Sequence, residues 1–363
     1  MKLLIIGPIP PPITGNSLAN KIIIEKLPLF YENIEVTSIN TSYFVFKEDV
    51  GKFSLKKVIF YVKQYKEIYK IFNVEKVYMT TGQTFFGILK YAPYILISKL
   101  LKKELIVHIH GDYLWKEFEN LKDFKRLIFS KLISKFDKGI VLSNTLKRNL
   151  EPFLPVERIF TLHNFVEDYL FDIDINNKLN ENFSEIRIVY LSNLMSEKGI
   201  LDLLEALVIL KKKSIGFKAK IAGNIDETLK EKIFSYFKYL DNEVDYLGVV
   251  YGKKKRDLLY WGNVFVFPSY YKIEGQPISI LEAMATGNII LTTNQGGIPD
   301  IFLNKKNGFY IDKQNPKDIS DKLIMIYDNL DNFKYIGEYN YNLAKKKYTI
   351  ETFISSLYDV LKS

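Results

Sequence analysis

The sequence contains no cysteine. That excludes disulfides and thiolate metal sites, and it leaves the chain silent about its redox compartment. Histidine is nearly absent as well, with only His108, His110 and His163 in 363 residues. His108 and His110 have no third ligand nearby in sequence, so no metal is expected. Long apolar runs are missing too. The longest, 85–101, is interrupted by Lys90, Pro93 and Lys99, so a buried or surface-docking helix is expected rather than a membrane span. The apolar start, residues 1–6, is too short for a signal-peptide core and ends at Gly7-Pro8; a buried first strand is expected. Without a secretory signal, the sequons at Asn40 and Asn182 carry little weight.

Blocks of like charge are also lacking. The net charge of +9, from 51 Lys plus Arg against 42 Asp plus Glu, is spread over short runs at 253–256, 305–306 and 345–347. Each run is expected to be a solvated face. No DNA-reading module or RNA-type aromatic motif is present, so nucleic acid is not an expected partner. A scattered basic excess still suits a phosphorylated ligand or an anionic membrane surface.

What is present is a globular composition, 47% hydrophobic and 26% charged. The chain is too long for one ordinary core and fits two α/β domains of roughly 150–180 residues each. Strand-like runs at 2–6, 34–39, 76–79, 105–109, 139–142 and 159–162 alternate with helical patterns at 15–27, 55–72 and 85–101. The Asp- and Asn-rich stretch 167–185 breaks this alternation and reads as a linker. A second series follows, with strands at 187–191, 218–222, 244–247, 264–267, 289–292 and 308–311. Its helices are expected at 199–211, 227–239, 253–261, 277–285 and 298–304, and 316–362 reads as helical throughout. Two Rossmann-like, doubly wound parallel-sheet domains with a cleft between them are expected, with ligands outside the carboxyl ends of the strands.

The chemistry is concentrated in 267–287. A buried strand runs into a loop and then a helix, with Pro277 suited to the first helical turn and Gly287 to the stop. The free N–H groups of that helix start suit a diphosphate. Glu274 precedes the helix start. Glu282 lies five residues beyond Pro277, roughly 7–8 Å along the axis at ~1.5 Å per residue. A nucleotide sugar carries hydroxyl-bearing rings on both sides of its diphosphate. One carboxylate could accept hydrogen bonds from the transferred sugar and the other from the ribose.

Seven residues separate Glu274 from Glu282, and the run Glu-Gly-x-Pro-x-x-x-Leu-Glu-Ala-Met-Ala-x-Gly resembles the E-x7-E motif of the retaining GT-B glycosyltransferases of family 4. Residues 295–300 resemble that family's Gly-Gly-x-x-Glu segment, with Asp300 in place of Glu. Residues 191–199 resemble its Gly-Arg-Leu-x-x-x-Lys-Gly segment. Lys198 keeps the diphosphate-binding lysine, and Asn193 stands where the family has arginine. A point charge and backbone N–H groups replace a bidentate clamp there.

The resemblance covers nearly the whole chain and implies the GT-B fold, with domains at 1–167 and 168–347 and a last helix, about 348–363, packing back on the first. It implies transfer of a sugar from a nucleoside-diphosphate sugar to an acceptor hydroxyl, with retention, no cofactor and no metal. The implied catalytic residues are His110, Glu274 and Lys198, with His108 as the alternative histidine. Gly15, in the loop after the first strand, and Asn193, Lys198, Gly248, Val250, Gly275, Gln276, Pro277, Ile278 and Glu282 are the implied donor-binding residues. His163 reads as structural. Asp172-Ile173-Asp174 imitates the Asp-x-Asp of metal-dependent GT-A enzymes, but it falls in the linker and is set aside. The resemblance also points to bacterial polysaccharide or lipopolysaccharide assembly. The acceptor would be a glycan or lipid-linked saccharide, and the protein cytoplasmic or peripheral on the inner face of the membrane. A non-catalytic GT-B-like subunit is the alternative, favoured only by Asn193.

Overall fold

The computed structural model describes residues 1–42, 60, 62–181 and 185–363. The start of the helical pattern at 55–72 and the sequon at Asn182 lie outside the described residues. The chain divides into two compact units: Met1–Asn164 with Phe353–Ser363, and Phe165–Thr352.

The first unit is built on six parallel strands: β1 (Lys2–Gly7), β2 (Glu35–Asn40), β3 (Lys76–Thr80), β4 (Glu104–Ile109), β5 (Lys138–Val141) and β6 (Ile159–Thr161). Their order is β2-β1-β3-β4-β5-β6. Leu3, Leu4, Ile5 and Ile6 are all fully buried, as expected of a parallel strand covered on both faces. The apolar run 85–101 is two helices, Phe85–Leu89 and Ala92–Leu100. Pro93 lies in the first turn of the second, where its missing N–H costs nothing. The final helix, Ile350–Lys362, contributes its last turns to this unit. Tyr358 stacks on Tyr31 with ring centroids 3.6 Å apart. Lys138 and Lys76 donate to the Val360 and Leu361 carbonyls at 3.0 and 2.7 Å, meeting carbonyls that the helix end leaves unpaired.

The second unit repeats the plan with β7 (Ile186–Leu191), β8 (Phe217–Ala222), β9 (Val244–Tyr246), β10 (Val264–Phe267), β11 (Ile289–Thr292) and β12 (Gly308–Tyr310). The order is β12-β11-β10-β7-β8-β9. The chain runs outward from β7 to β9, returns to β10 beside β7, and continues the other way. The β7–β10 boundary is therefore the topological switch point, where loops leaving the carboxyl ends diverge and leave room for a ligand.

Some expectations are corrected. The stretch 167–185 is not a plain linker. It contains a 3-10 turn, Asp168–Leu170, and a helix, Ile175–Asn180. Asp174, one of the polar residues that broke the periodicity, caps that helix by accepting the Asn177 N–H at 3.0 Å. Lys178 from this helix is buried and donates to the Leu259 and Thr286 carbonyls at 3.1 and 2.6 Å. The expected helix 298–304 is only a 3-10 turn, Ile298–Asp300. The C-terminal 316–362 is three helices, Pro316–Tyr327, Lys334–Lys347 and Ile350–Lys362, rather than one helical stretch.

Candidate active site

Two loops at the switch point carry the principal residues. The first leaves β7. Tyr190, near that strand's end, donates its hydroxyl to the Asn193 carbonyl at 3.0 Å and the Lys198 carbonyl at 3.3 Å. This folds 193–198 into a compact turn and aims Lys198 toward β10. The next residue, Gly199, has φ +75°, and a Cβ there would run into the carbonyl and ring of Pro268. Only glycine lets the two loops approach this closely.

The second loop leaves β10. Glu274 is buried, with 6% exposure. Its Oε2 accepts hydrogen bonds from Lys198 Nζ at 2.6 Å and Ser269 Oγ at 2.8 Å. The Lys198 ammonium also lies over the Tyr271 ring, 4.7 Å from its centroid, a cation–π contact that keeps it in place. The loop is tied down from β11's exit. Thr293 Oγ1 donates to the Ser269 carbonyl at 2.5 Å, Gln295 Nε2 to the Tyr271 carbonyl at 3.0 Å, and the Gly297 N–H to the Gly275 carbonyl at 2.8 Å. Gly296 has φ +56°, and a Cβ there would overlap the Glu274 carbonyl oxygen. The Gly-Gly pair thus acts as a backbone floor under Glu274.

The helix that follows is Ile278–Ala285, with Pro277 at the N-cap and no side chain capping it. Pro277 therefore precedes the first helical turn rather than lying inside it. The Ile280 N–H donates to the Pro277 carbonyl at 3.3 Å, and the uncapped N–H groups of Ile278 and Ser279 suit an anion. Gln276 is buried. Glu282, one full helix turn further in, is 4% exposed. Its Oε1 pairs with Lys255 Nζ at 2.5 Å, and the same ammonium reaches Glu167 Oε2 at 3.3 Å. Burial opposes the charge on Lys255, but Glu282, Tyr169 and Glu167 together raise its pKa above the usual lysine value. The expectation that 253–256 is a solvated face fails at this residue. Helical spacing held the signal: Lys255 stands three and four residues before Leu258 and Leu259, which are both buried, and so shares their face.

Gly248 and Val250 follow β9. Gly248 has φ +65° with open space around its Cα, and its carbonyl accepts the Gly223 N–H at 2.8 Å. Val250 is buried between exposed Val249 and Tyr251. Asn193 is exposed.

In the first unit, His108 lies in β4 and His110 one residue beyond it. Their rings are 3.9 Å apart between centroids, as strand alternation places them on one side. Tyr78 hydroxyl hydrogen-bonds His108 Nδ1. Both Nε2 atoms are enclosed and have no hydrogen-bond partner. Burial pushes His110 down to about 3, and burial with the neighbouring His110 holds His108 well below its usual range. Burial thus favours the neutral form of both imidazoles. Buried Asp112 fastens the following turn through Arg148 Nε at 3.0 Å and Trp115 Nε1 at 3.2 Å. Gly15 opens the helix Gly15–Phe30, whose N-cap Thr14 and Ser17 form a reciprocal capping box. His163 Nδ1 lies 3.0 Å from the Leu142 carbonyl.

Lys198, Glu274 and Gly275 thus come together, while Glu282 is held separately by Lys255. Ser269, Lys255, Glu167 and Tyr190 are residues that the sequence reading did not single out. Among the described residues, no cluster of three His, Cys, Asp or Glu is placed to hold a metal, and no helix is long and apolar enough to cross a membrane.

Residues 172–343 match the family model described as glycosyl transferases group 1. The chain is 25% identical over 305 residues to an uncharacterized glycosyltransferase of Methanocaldococcus jannaschii, covering 80% of this chain and 76% of that one. It is 27% identical over 142 residues to the N,N'-diacetylbacillosaminyl-diphospho-undecaprenol alpha-1,3-N-acetylgalactosaminyltransferase of Campylobacter jejuni, covering 39% and 35% of the two chains. Among solved structures, Anabaena HepE in complex with UDP-glucose aligns over 100% of this chain and 99% of its own, with a TM-score of 0.71 and 13% identity.

Proposed function

We propose that this chain, a glycosyltransferase of the GT-B fold, transfers a sugar from a nucleoside-diphosphate sugar to an acceptor hydroxyl with retention of anomeric configuration. The observation that carries the reading is the Lys198–Glu274 contact of 2.6 Å at the β7–β10 switch point, beside a helix start that no side chain caps. Cation, carboxylate and free N–H groups are the three elements a sugar diphosphate requires.

In this reading Lys198 and the first-turn N–H groups of 278–285, with Gly275, Gln276, Pro277 and Ile278 shaping the approach, stabilise charge on the departing diphosphate. Glu274 accepts hydrogen bonds from the transferred sugar and Glu282 from the ribose. Gly248 and Val250 border the base. Asn193 offers amide hydrogen bonds in place of an arginine fork, and Gly15 permits close backbone approach. His110, as a neutral imidazole, can exchange a hydrogen bond with a sugar hydroxyl. The bond from the anomeric carbon to the diphosphate oxygen breaks through an oxocarbenium-like transition state. The acceptor oxygen bonds to the same face of that carbon, and its proton passes to the departing phosphate oxygen. No protein nucleophile, cofactor or metal takes part.

The acceptor is a lipid-linked glycan in bacterial surface-polysaccharide assembly, met at the inner face of the membrane. Three facts support this. The chain carries +9 net charge. The Ala92–Leu100 helix exposes Leu96 (49%) and Leu100 (80%) one turn apart, with Lys102 and Lys103 just beyond its end. The Campylobacter relative is named for a diphospho-undecaprenol-linked acceptor.

The test is transfer by purified Lys198→Ala and Glu274→Ala variants, with the product's anomeric configuration read by NMR. Wild-type rates in both variants would remove the site assignment, and an inverted product would remove the mechanism.

A further inference from the structure

Lys255 is a buried cation that the transfer step itself does not require. It stands on helix Gly252–Trp261, is 12% exposed, and bridges Glu282 Oε1 at 2.5 Å and Glu167 Oε2 at 3.3 Å. Tyr169 donates its hydroxyl to that same Glu167 oxygen at 3.3 Å. Placing a lysine here is costly, because its ammonium gives up most of its hydration. Two acids and one ammonium leave the cluster with a formal charge of −1.

The geometry of Glu282 gives the lysine a purpose. Oε1 is occupied by Lys255. Oε2 has no hydrogen-bond partner among the described residues. A carboxylate fixed at one oxygen has a fixed direction at the other, so Oε2 is a preorganised acceptor on an otherwise apolar helix. Without Lys255, Glu282 and Glu167 would face each other unneutralised. They would then turn away or hold a proton between them, and a protonated carboxyl accepts far more weakly than an ion.

We infer that Lys255 is a positioning residue that sets ribose discrimination, holding Glu282 by one oxygen so that the other accepts from the vicinal hydroxyls of the donor's ribose. The inference rests on the ribose role proposed above for Glu282. It predicts that Lys255 governs the preference for ribonucleotides over their deoxy forms, and not general affinity for diphosphate.

The test is calorimetric binding of UDP, GDP and ADP, each against its 2′-deoxy and 3′-deoxy forms, to the full chain and its variants. Wild type is expected to prefer at least one ribonucleotide over a deoxy form by about tenfold or more, the worth of a charge-assisted hydrogen bond. Glu282→Gln and Lys255→Met are each expected to reduce that preference below about twofold, chiefly by weakening the ribonucleotide. Because Lys255→Met leaves buried Glu282 and half-buried Glu167 without their cation and can misfold, Glu167→Gln/Lys255→Met serves as the second variant. It keeps the cluster at −1 and is expected to show the same loss of preference. If these Lys255 variants retain the wild-type ratio, or weaken ribo and deoxy forms equally, Lys255 is only a structural counter-ion and the inference is overturned. If Glu282→Gln also retains the ratio, or wild type shows no ribose preference, the ribose reading of Glu282 falls with it.

Discussion

Lys198 Nζ and Glu274 Oε2 lie 2.6 Å apart although 76 residues separate them in the chain. The fold makes the meeting unavoidable. Lys198 follows β7 and Glu274 follows β10, and the two strands pair in parallel with Ile188 opposite Val264. Both loops therefore leave from the same sheet edge. In the proposed reading the same two groups meet the diphosphate and the sugar of a donor, so each would exchange one partner for another when donor binds.

That double role separates stability from activity. Lys198→Ala leaves the Glu274 carboxylate buried with only Ser269 as a donor. Loss of one member of a buried pair costs about 3 kcal/mol or more. Lys198→Ala/Glu274→Gln removes the uncompensated charge and is expected to regain most of that loss in urea denaturation. Transfer is expected to stay depressed by about 10²–10³-fold in both, since a missing electrostatic contact to the leaving group is not restored by neutralising its neighbour. Parallel recovery of stability and rate would show the pair to be structural.

Two glycines with similar dihedrals are expected to behave differently. Gly296 and Gly248 have φ +56° and +65°. A Cβ on Gly296 would strike the Glu274 carbonyl, whereas Gly248 has open space. Gly248→Ala should cost only the strain of a left-handed alanine, about 1 kcal/mol. Gly296→Ala should cost about 3 kcal/mol and lower kcat, because the floor beneath Glu274 must move. Thermal denaturation and steady-state rates of the two variants check this, and equal effects would refute it.

Much of this architecture is readable in the residues themselves. The strand series was legible because each run of Val, Ile and Leu is flanked by turn residues, and the helix carrying Glu282 because Pro277 and Gly287 bracket it. What holds the acids was harder to see. Lys198 meets Glu274 through strand order, which no local spacing reveals, and Ser269 meets it through the folding of one irregular loop five residues long. Lys255 looked like one member of a solvated lysine run until its alignment with Leu258 and Leu259 is considered. The helix expected at 298–304 failed because the apolar spacing there serves a single 3-10 turn, Ile298–Asp300.

Buried His108 and half-buried His110 predict a pH dependence of stability. Both imidazoles are held neutral in the fold, His110 with its pKa at about 3, while in the unfolded chain each takes up a proton near 6.5. Below that pH the unfolded state binds more protons than the native one, so stability falls as pH drops from about 6.5 toward 3. Each histidine contributes a slope of about 1.4 kcal/mol per pH unit. Urea midpoints between pH 4.5 and 7.5 should fall more shallowly for His110→Gln than for wild type, by close to one proton's worth. An unchanged slope would mean that His110 is freely protonated in the fold.

Membrane attachment is expected to depend on Leu96 and Leu100. Both are exposed, one turn apart on Ala92–Leu100, so replacing them removes little packing and should leave the melting temperature almost unchanged. Burying two leucines in a bilayer interface is worth up to about 3–6 kcal/mol, while Lys102 and Lys103 contribute about 1 kcal/mol each near an anionic surface; Lys99 is already paired with Asp137. Wild-type protein should co-sediment with vesicles containing phosphatidylglycerol at low salt and partly dissociate at 0.5 M salt, as screening removes the ionic share. Leu96→Asp/Leu100→Asp should lose most binding at either salt concentration, yet transfer to a soluble acceptor analogue should persist. If that variant sediments as wild type does, the helix is not the docking face; if wild type fails to sediment on anionic vesicles, the membrane-bound acceptor is ruled against.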